Sequence, residues 1–544
     1  MKKIKTSLNK IIKTNVLVLN YIKEFIITIC NQPKFYIPVI FFCTLTYGFN
    51  LFNETVSTDD LAGDYYIGSG FAMFKGFRWA MVIWGRVFTM VEFSPFIPKF
   101  IALIFLVLSS IVIAAILYKN TNNNNVWFYT IFSCMYITYS LNNEIWEYSG
   151  ACICIYGGIL LSAYSILYLM ECQRVEIVDI AFTGFLLSFA SGGYESSILV
   201  YITLVAIVLF LNKVIIKKNN YKWFNDSVKY ALSFFVSVLL KYLIGFMFIK
   251  LLNLGYQENG DTGINWIYYG MKDCMKIILN GNFKLYIVNA LTYKPITLFM
   301  LSTIVFIFIL VIKCKSFDDY LLGTLTYLSI FSLSFVKGSA LMYRTSQTVQ
   351  LFVSVVAFLS VYLTYKNIKT YRTVLMLILF VIYGQGKYYH QLLALNHLRS
   401  ENELSVVRNI GSEIYRKYGK NKTVVFVGAY DLGKYIKNQI TLNNLRYSPL
   451  NSLLIKVYKD DEYYRNKIIE TNVNSLLNWS EMTFFNNYSQ ELMEKLFSYC
   501  GYEIDTIDEN VFSVIEQCQK KALEKDMKPF EIYDNGDYLI VNLG

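Results

Sequence analysis

Two adjacent carboxylates, Asp59 and Asp60 in NETVSTDD, are followed shortly by an Arg-Trp pair, Arg78 and Trp79 in KGFRW. A carboxylate in hydrogen-bond reach of a hydroxyl can remove its proton as that hydroxyl attacks. Two neighbouring carboxylates can instead hold a divalent cation, Mg or Mn, against a phosphate. A guanidinium binds phosphate through paired, charge-assisted hydrogen bonds. The plainer alternative for Thr58-Asp59-Asp60 is the start of a helix, with the side chains capping free N–H groups.

Other polar residues interrupt an apolar chain. Tyr194-Glu195-Ser196 follows two glycines, and Arg86 lies just beyond Trp79. Glu144 and Glu147 in NNEIWEYSG are three apart, a spacing that puts them on one helix face beside Trp146 and Tyr148. Aromatic rings there would stack on a sugar or anchor the chain at a membrane surface. Arg344 sits in VKGSALMYRTSQ. Lys241 falls near the middle of KYALSFFVSVLLKYLIGFMFIKLL. A charge at the centre of a membrane span costs roughly 3 kcal/mol and usually faces a cavity or a partner. Lys241 is therefore either a cation for a lipid phosphate or half of a pair with an intramembrane acid or backbone carbonyls.

These residues are carried by a chain of 544 residues, 55% hydrophobic and 17% aromatic, with only 16% charged. A soluble protein carries about 25% charged residues, so the composition is that of a polytopic membrane protein. Eleven apolar segments are long enough to be read as spans, some of them short: 35–53, 96–118, 127–141, 151–170, 177–192, 195–212, 230–252, 295–313, 319–336, 347–364 and 373–386. The predicted fold class is thus an α-helical polytopic membrane protein. The net charge of +11 comes largely from Lys and Arg in short loops, which points to topology and away from nucleic acid. An inside N-terminus leaves the basic loops 119–125, 171–176, 212–226, 313–319 and 364–373 inside. NETVSTDD, NNEIWEYSG, GGYES, the 253–294 segment and KGSALMYRTSQ then lie outside. GDYYIGSGFAMFKGFRWAMVIWGRVFTMV is too polar for a span and reads as one or two interfacial helices. The 253–294 segment, with Asp261, Trp266 and Asp273, would cover an outer site.

Three regions follow: a basic amphipathic segment 1–34 on the inner leaflet, a multi-span domain 35–386, and a polar tail 387–544 outside. The first lacks a cleavage site and is not read as a signal peptide. The tail reads as a small α/β domain: KTVVFVGAYDLGKYI is strand, turn, helix, and DYLIVNL is a strand. Its VFVG glycine is a weak nucleotide-loop signal and is better read as a tight turn. Cys500 and Cys518 share the tail; two buried thiols are preferred over a disulfide. With two His and no CxxC spacing, a zinc site is not expected.

A first span, an outward Asp-Asp pair, an element like Gly-Arg-Trp between interfacial helices and a Tyr-Glu-Ser turn together resemble the bacterial GtrII-type glucosyltransferases, polytopic enzymes of the GT-C class. Here the second element reads Gly76-Phe77-Arg78-Trp79, with Phe inserted, and Gly85-Arg86 is a nearby alternative. The resemblance covers scattered points over the first 200 or so residues. It implies transfer of a hexose, glucose in that family, from a polyprenyl-phosphate donor to a cell-surface glycan such as an O-antigen or teichoic-type polymer. It implies work at the outer face of the bacterial cytoplasmic membrane. Asp59 or Asp60 would then be the base. Arg78, Arg86, Arg344 or Lys241 would bind the donor phosphate, and Tyr194, Glu195, Glu144, Glu147 and Trp79 the sugar or acceptor. The alternatives are a glycolipid flippase, expected to show paired repeats and broken spans that are not seen, a surface-polysaccharide polymerase, or a non-catalytic scaffold.

Overall fold

The computed structural model describes residues 2–53, 55, 70–88, 96–218, 221–254, 265–287, 294–340, 343–420, 422–428, 489–507 and 512–544. Asp59, Asp60 and Asp261 lie outside them. The chain divides into two compact units, Met1–Phe52 with Asp64–His390, and Asn53–Gly63 with Gln391–Gly544.

The first unit is helical. In hydrocarbon no water is available to satisfy a backbone, so each apolar run must satisfy its own N–H and C=O groups. In chain order the helices are α1 (Lys2–Phe25), α2 (Pro33–Phe52), α3 (Gly70–Lys75), α4 (Trp79–Phe88), α5 (Phe96–Thr121), α6 (Val126–Thr138), α7 (Ser149–Glu171), α8 (Ile177–Gly193), α9 (Glu195–Phe210) and α10 (Trp223–Leu251). There follow α11 (Asn265–Tyr268), α12 (Met271–Asn282), α13 (Lys294–Lys313), α14 (Phe317–Leu328), α15 (Ser332–Lys337), α16 (Gln347–Thr364) and α17 (Ile368–Tyr418), of which the part up to His390 belongs to this unit and the rest to the second. All eleven predicted spans fall on helices. Among the described residues nine helices are long and apolar enough to cross a membrane, while α6 and α8 are shorter apolar helices.

Helices α6, α7, α9 and α16 form the interior and are buried on almost every side. Small residues let them approach closely. A Cβ on Gly158 of α7 would stand 2.7 Å from the Cβ of Ser197 of α9. Helices α10 and α13 present Phe235, Leu239, Phe246, Ile304 and Phe308 outward, as a lipid-facing surface would.

One end of this bundle gathers the C-terminus of α6 and the N-termini of α5, α7, α13 and α16. Tyr139 Oη donates to Pro295 O, Gln350 Nε2 to Tyr136 O, and the Cys152 thiol lies on Pro98 O. The opposite end carries Lys119 paired with Glu171, and Lys10 of α1 paired with Glu176 at 3.0 Å and with the fully buried Asp179 at 2.7 Å. The basic N-terminal helix is therefore docked on the turn between α7 and α8. The region expected to form interfacial helices folds as α3 and α4, and α4 packs on α7 and α8 with Trp79, Ala80 and Met81 buried.

In the second unit β1 (Val424–Val427) pairs in parallel with β3 (Leu539–Asn542), which pairs antiparallel with β2 (Ile532–Asp534), giving the order β1-β3-β2. The helix α19 (Phe512–Glu524) covers one face through Cys518 and Ala522, against Val425, Val427 and Ile540. The helix α18 (Gln490–Tyr499) approaches the other, with Phe497 on Phe426. The Gln490 side chain accepts from Phe426 N and donates to Phe426 O. Gly428 has φ +78°, and a Cβ there would stand 2.2 Å from Gly544 O. The close approach of Gly544 explains this glycine. Cys500 and Cys518 are both free thiols.

Candidate active site

The break between α3 and α4 is built by Phe77. Its φ is +57°, the left-handed region that normally selects glycine. Phe77 N donates to Phe74 O, and Arg78 N to Met73 O, the pair of bonds that closes a helix C-terminus. The ring then lies on α10, edge-on to Tyr242 and Phe246, over Gly245, where a Cβ would stand 2.5 Å from Cδ1 of Phe77. Trp79 continues the contact. Its Nε1 donates to Lys241 O at 3.2 Å, and its ring lies over Gly192, where a Cβ would approach Cε2 to 2.9 Å. The bulky residues of GFRW thus fasten the turn to α8 and α10, and Arg78 between them is aimed.

Arg78 Nη2 lies 3.4 Å from Glu195 Oε2, and its guanidinium carbon is 5.3 Å from the centre of the Tyr194 ring. Lys241 Nζ lies 3.2 Å from Glu195 Oε1. Glu195 opens α9, directly after the extended Tyr194, and so stands in the first turn, at the positive end of the helix. The Lys241 side chain is only 9% exposed, whereas those of Arg78 and Glu195 are 23% and 26% exposed. One carboxylate therefore bridges a buried ammonium and a more open guanidinium. Of the two readings of Lys241, pairing with an acid is observed.

The structure thus brings together Arg78, Trp79, Tyr194, Glu195 and Lys241. Arg86, two turns further along α4, is exposed and is not brought to Glu195. Glu144 and Glu147 lie in a 3-10 segment, Ser140–Glu147, that packs against the 3-10 turn Tyr343–Thr345 carrying Arg344. The side chains of these three residues lie outside the described part. Among the described residues no group of three or more His, Cys, Asp or Glu is placed to hold a metal ion.

Two cations were not singled out in the sequence. Lys99, in the first turn of α5, is 1% exposed. Its signal was a lone charge in FIPKFIALIF. Lys337 closes α15.

Residues 48–385 match the family model described as Glucosyl transferase GtrII. The chain belongs to the GtrII glucosyl transferase family. The matched segment spans more than half of the chain and contains the whole Arg78–Glu195–Lys241 cluster, as well as Asp59 and Asp60. Membership makes glucosyl transfer the class of activity, and the apolar helices make this GtrII protein a membrane protein. No curated protein and no solved structure matches the chain.

Proposed function

We propose that this GtrII protein transfers glucose from a polyprenyl-phosphate carrier to a cell-surface glycan, of the O-antigen or teichoic type, at the outer face of a bacterial cytoplasmic membrane. The observation that carries this is the bridging of Glu195 by Arg78 and Lys241 inside the segment matched by the family. Two cations on one carboxylate leave a local positive excess at one end of a helical bundle. A lipid-linked phosphate at headgroup depth is an anion suited to such a place.

In the reaction the acceptor oxygen forms a bond to the anomeric carbon as the bond from that carbon to the phosphate oxygen breaks. The electron pair leaves with the phosphate, where Arg78 and Lys241 stabilise it. The acceptor proton passes to Asp59 or Asp60. Glu195 holds the two cations in register, and its remaining lone pairs can accept from sugar hydroxyls. The polar tail would lie on the same outer side and engage the acceptor.

The test is the surface-glycan composition of cells carrying Asp59→Asn or Asp60→Asn, beside wild type and a deletion, at matched membrane levels. Loss of glucose in the deletion and in either variant supports the acidic pair as the base. Loss in the deletion alone moves the base elsewhere. A role for Mg or Mn at the pair, in place of a base, is distinguished by chelation: EDTA would then stop transfer by the purified protein.

A further inference from the structure

Helix α1 crosses the bundle at the end that carries the Lys119–Glu171 pair. Lys10 sits on the turn between α7 and α8, and Asn15 Oδ1 accepts from Tyr164 Oη of α7. Further along, Tyr21 Oη donates to Ala115 O of α5 at 3.3 Å, and the Phe25 ring meets Tyr118 of α5 and Tyr129 of α6. A helix that meets its neighbours in this sequence runs across them. Tyr164 lies seven residues before the end of α7, and Ala115 six before the end of α5. At 1.5 Å per residue that is about 10 Å. Helix α1 is therefore set against the flanks of the apolar helices, not beyond their ends.

Two contacts fix the roll of α1 about its axis. Lys10 Nζ donates to Arg174 O at 3.1 Å and pairs with Glu176 and Asp179, all of them past the end of α7. Asn15 meets Tyr164, two turns inside that end. Lys10 and Asn15 stand on opposite edges of the buried face, with Thr14, Val18 and Phe25 buried between them. The Asn15 edge thus looks toward the middle of the bundle, and the Lys10 edge looks away from it. The residues beyond the two edges differ in kind. Leu8 and Ile12 stand seven and three residues before Asn15, and Leu19 four after it, spacings that share a helix face. They are 55%, 53% and 57% exposed. Beyond Lys10, the exposed residues are Asn9, Lys13, Asn20 and Glu24, with Leu17 the apolar residue among them. Val16 and Lys23 lie where the two flanks meet, opposite the buried face.

We propose that this roll sets α1 into the bilayer as a three-sided helix. One side is on the protein, the Leu8–Ile12–Leu19 side is among acyl chains, and the Asn9–Lys13–Asn20–Glu24 side is at headgroups and water. The partner of the apolar flank is phospholipid, and the depth of α1 carries that choice. A bilayer about 40–45 Å thick has a hydrocarbon core of about 30 Å, which leaves about 5–8 Å of interface on each side. A helix about 10 Å in from the ends of the spans lies at the inner edge of that layer, where an apolar flank turned toward the bundle middle meets acyl chains. The lysine stems reach back from there to the phosphate level. The same exposed apolar surface continues along the chain in Ile26 and Ile27 and in Ile37, Ile40 and Phe41 of α2. Periodicity alone puts a basic amphipathic segment on a membrane. The contacts add that the protein occupies one face, and that lipid takes the flank beside Asn15. The assignment is independent of the reaction proposed above.

The experiment uses the full-length protein in phospholipid vesicles. Photoreactive benzoylphenylalanine is placed at one position at a time, and lipid adducts are read by mass spectrometry. Phe235, on the outward side of α10, is the positive control. Leu8, Ile12 and Leu19 should each give adducts on acyl chains, and Asn9, Lys13 and Asn20 should give none. Three positions on each flank keep the answer readable if one substitution prevents folding. Acyl adducts from both flanks alike would mean a helix without this roll, and adducts from the polar flank alone would mean the reverse roll. Either overturns the proposal. So does an apolar flank that cross-links to a second copy of the chain, or to the chain's own residues, in place of lipid. So does one that gives no adduct while Phe235 does.

Discussion

The indole N–H of Trp79 holds the backbone carbonyl of Lys241, while the neighbouring Arg78 shares a carboxylate with the Lys241 side chain. One short turn therefore fixes both the main chain and the charge of the same residue. Trp79→Phe should cost about 1 kcal/mol of stability, the value of one buried hydrogen bond, and should lower transfer through loss of alignment. Gly192→Ala drives a methyl into the indole. It should be more harmful alone than in the Trp79→Phe background, a coupling that thermal unfolding of the four proteins in detergent would measure.

Glu195→Gln leaves Lys241 buried without its carboxylate. Breaking a buried ion pair from one side costs about 3–5 kcal/mol. Glu195→Gln with Lys241→Met should recover much of that stability and none of the activity. Recovery of both would mean that the pair serves the fold alone.

Phe77→Gly relieves a left-handed backbone, worth about 1 kcal/mol, but removes the ring lying on Gly245, Tyr242 and Phe246. The deletion of a packed aromatic costs about 3 kcal/mol or more, so the net effect should be destabilising. Gly245→Ala should reproduce it by pushing the ring off. A melting temperature equal to wild type in both would show that the ring does not anchor the turn.

At the opposite end, burial of the Lys10 ammonium lowers its pKa, but hydrogen bonds to Asp179 and Glu176 outweigh that and raise it above its ordinary value. A raised pKa on a cation contributes stability that is complete below the unfolded value, near 10.5, and is lost as pH climbs through the folded value. Docking of α1 should therefore not change between pH 6 and 9, and should weaken only above the ordinary lysine range. Proteolysis of the N-terminal helix as a function of pH would follow this. Lys10→Met, which removes the ammonium from Asp179 but leaves its bonds from Tyr168 Oη and Glu176 N, should expose α1 at every pH.

Much of this was legible in the chain. Apolar length alone located the helices, because a backbone in lipid has few options. Lys241 declared itself by cost: a charge in an apolar helix implies a partner. Which partner was hidden, because Arg78, Glu195 and Lys241 come from distant parts of the chain and meet only through the docking of α4 on α8 and α10. The inserted Phe77 looked like a departure from the family pattern, and the fold gives it a use as the ring that seats the turn.

In the second unit, the Gln490 amide sits on both backbone groups of Phe426, in the geometry a neighbouring strand would use. It is a counterfeit strand one residue long. Together with the bond from Val424 N to Asp505 O, it occupies the β1 margin of the sheet, so another chain cannot extend the ladder there. Among the described residues, β2 forms the other margin of the sheet. That margin is three residues long and carries Asp534, held by Lys422. A short, charged border of this kind discourages strand addition by another chain.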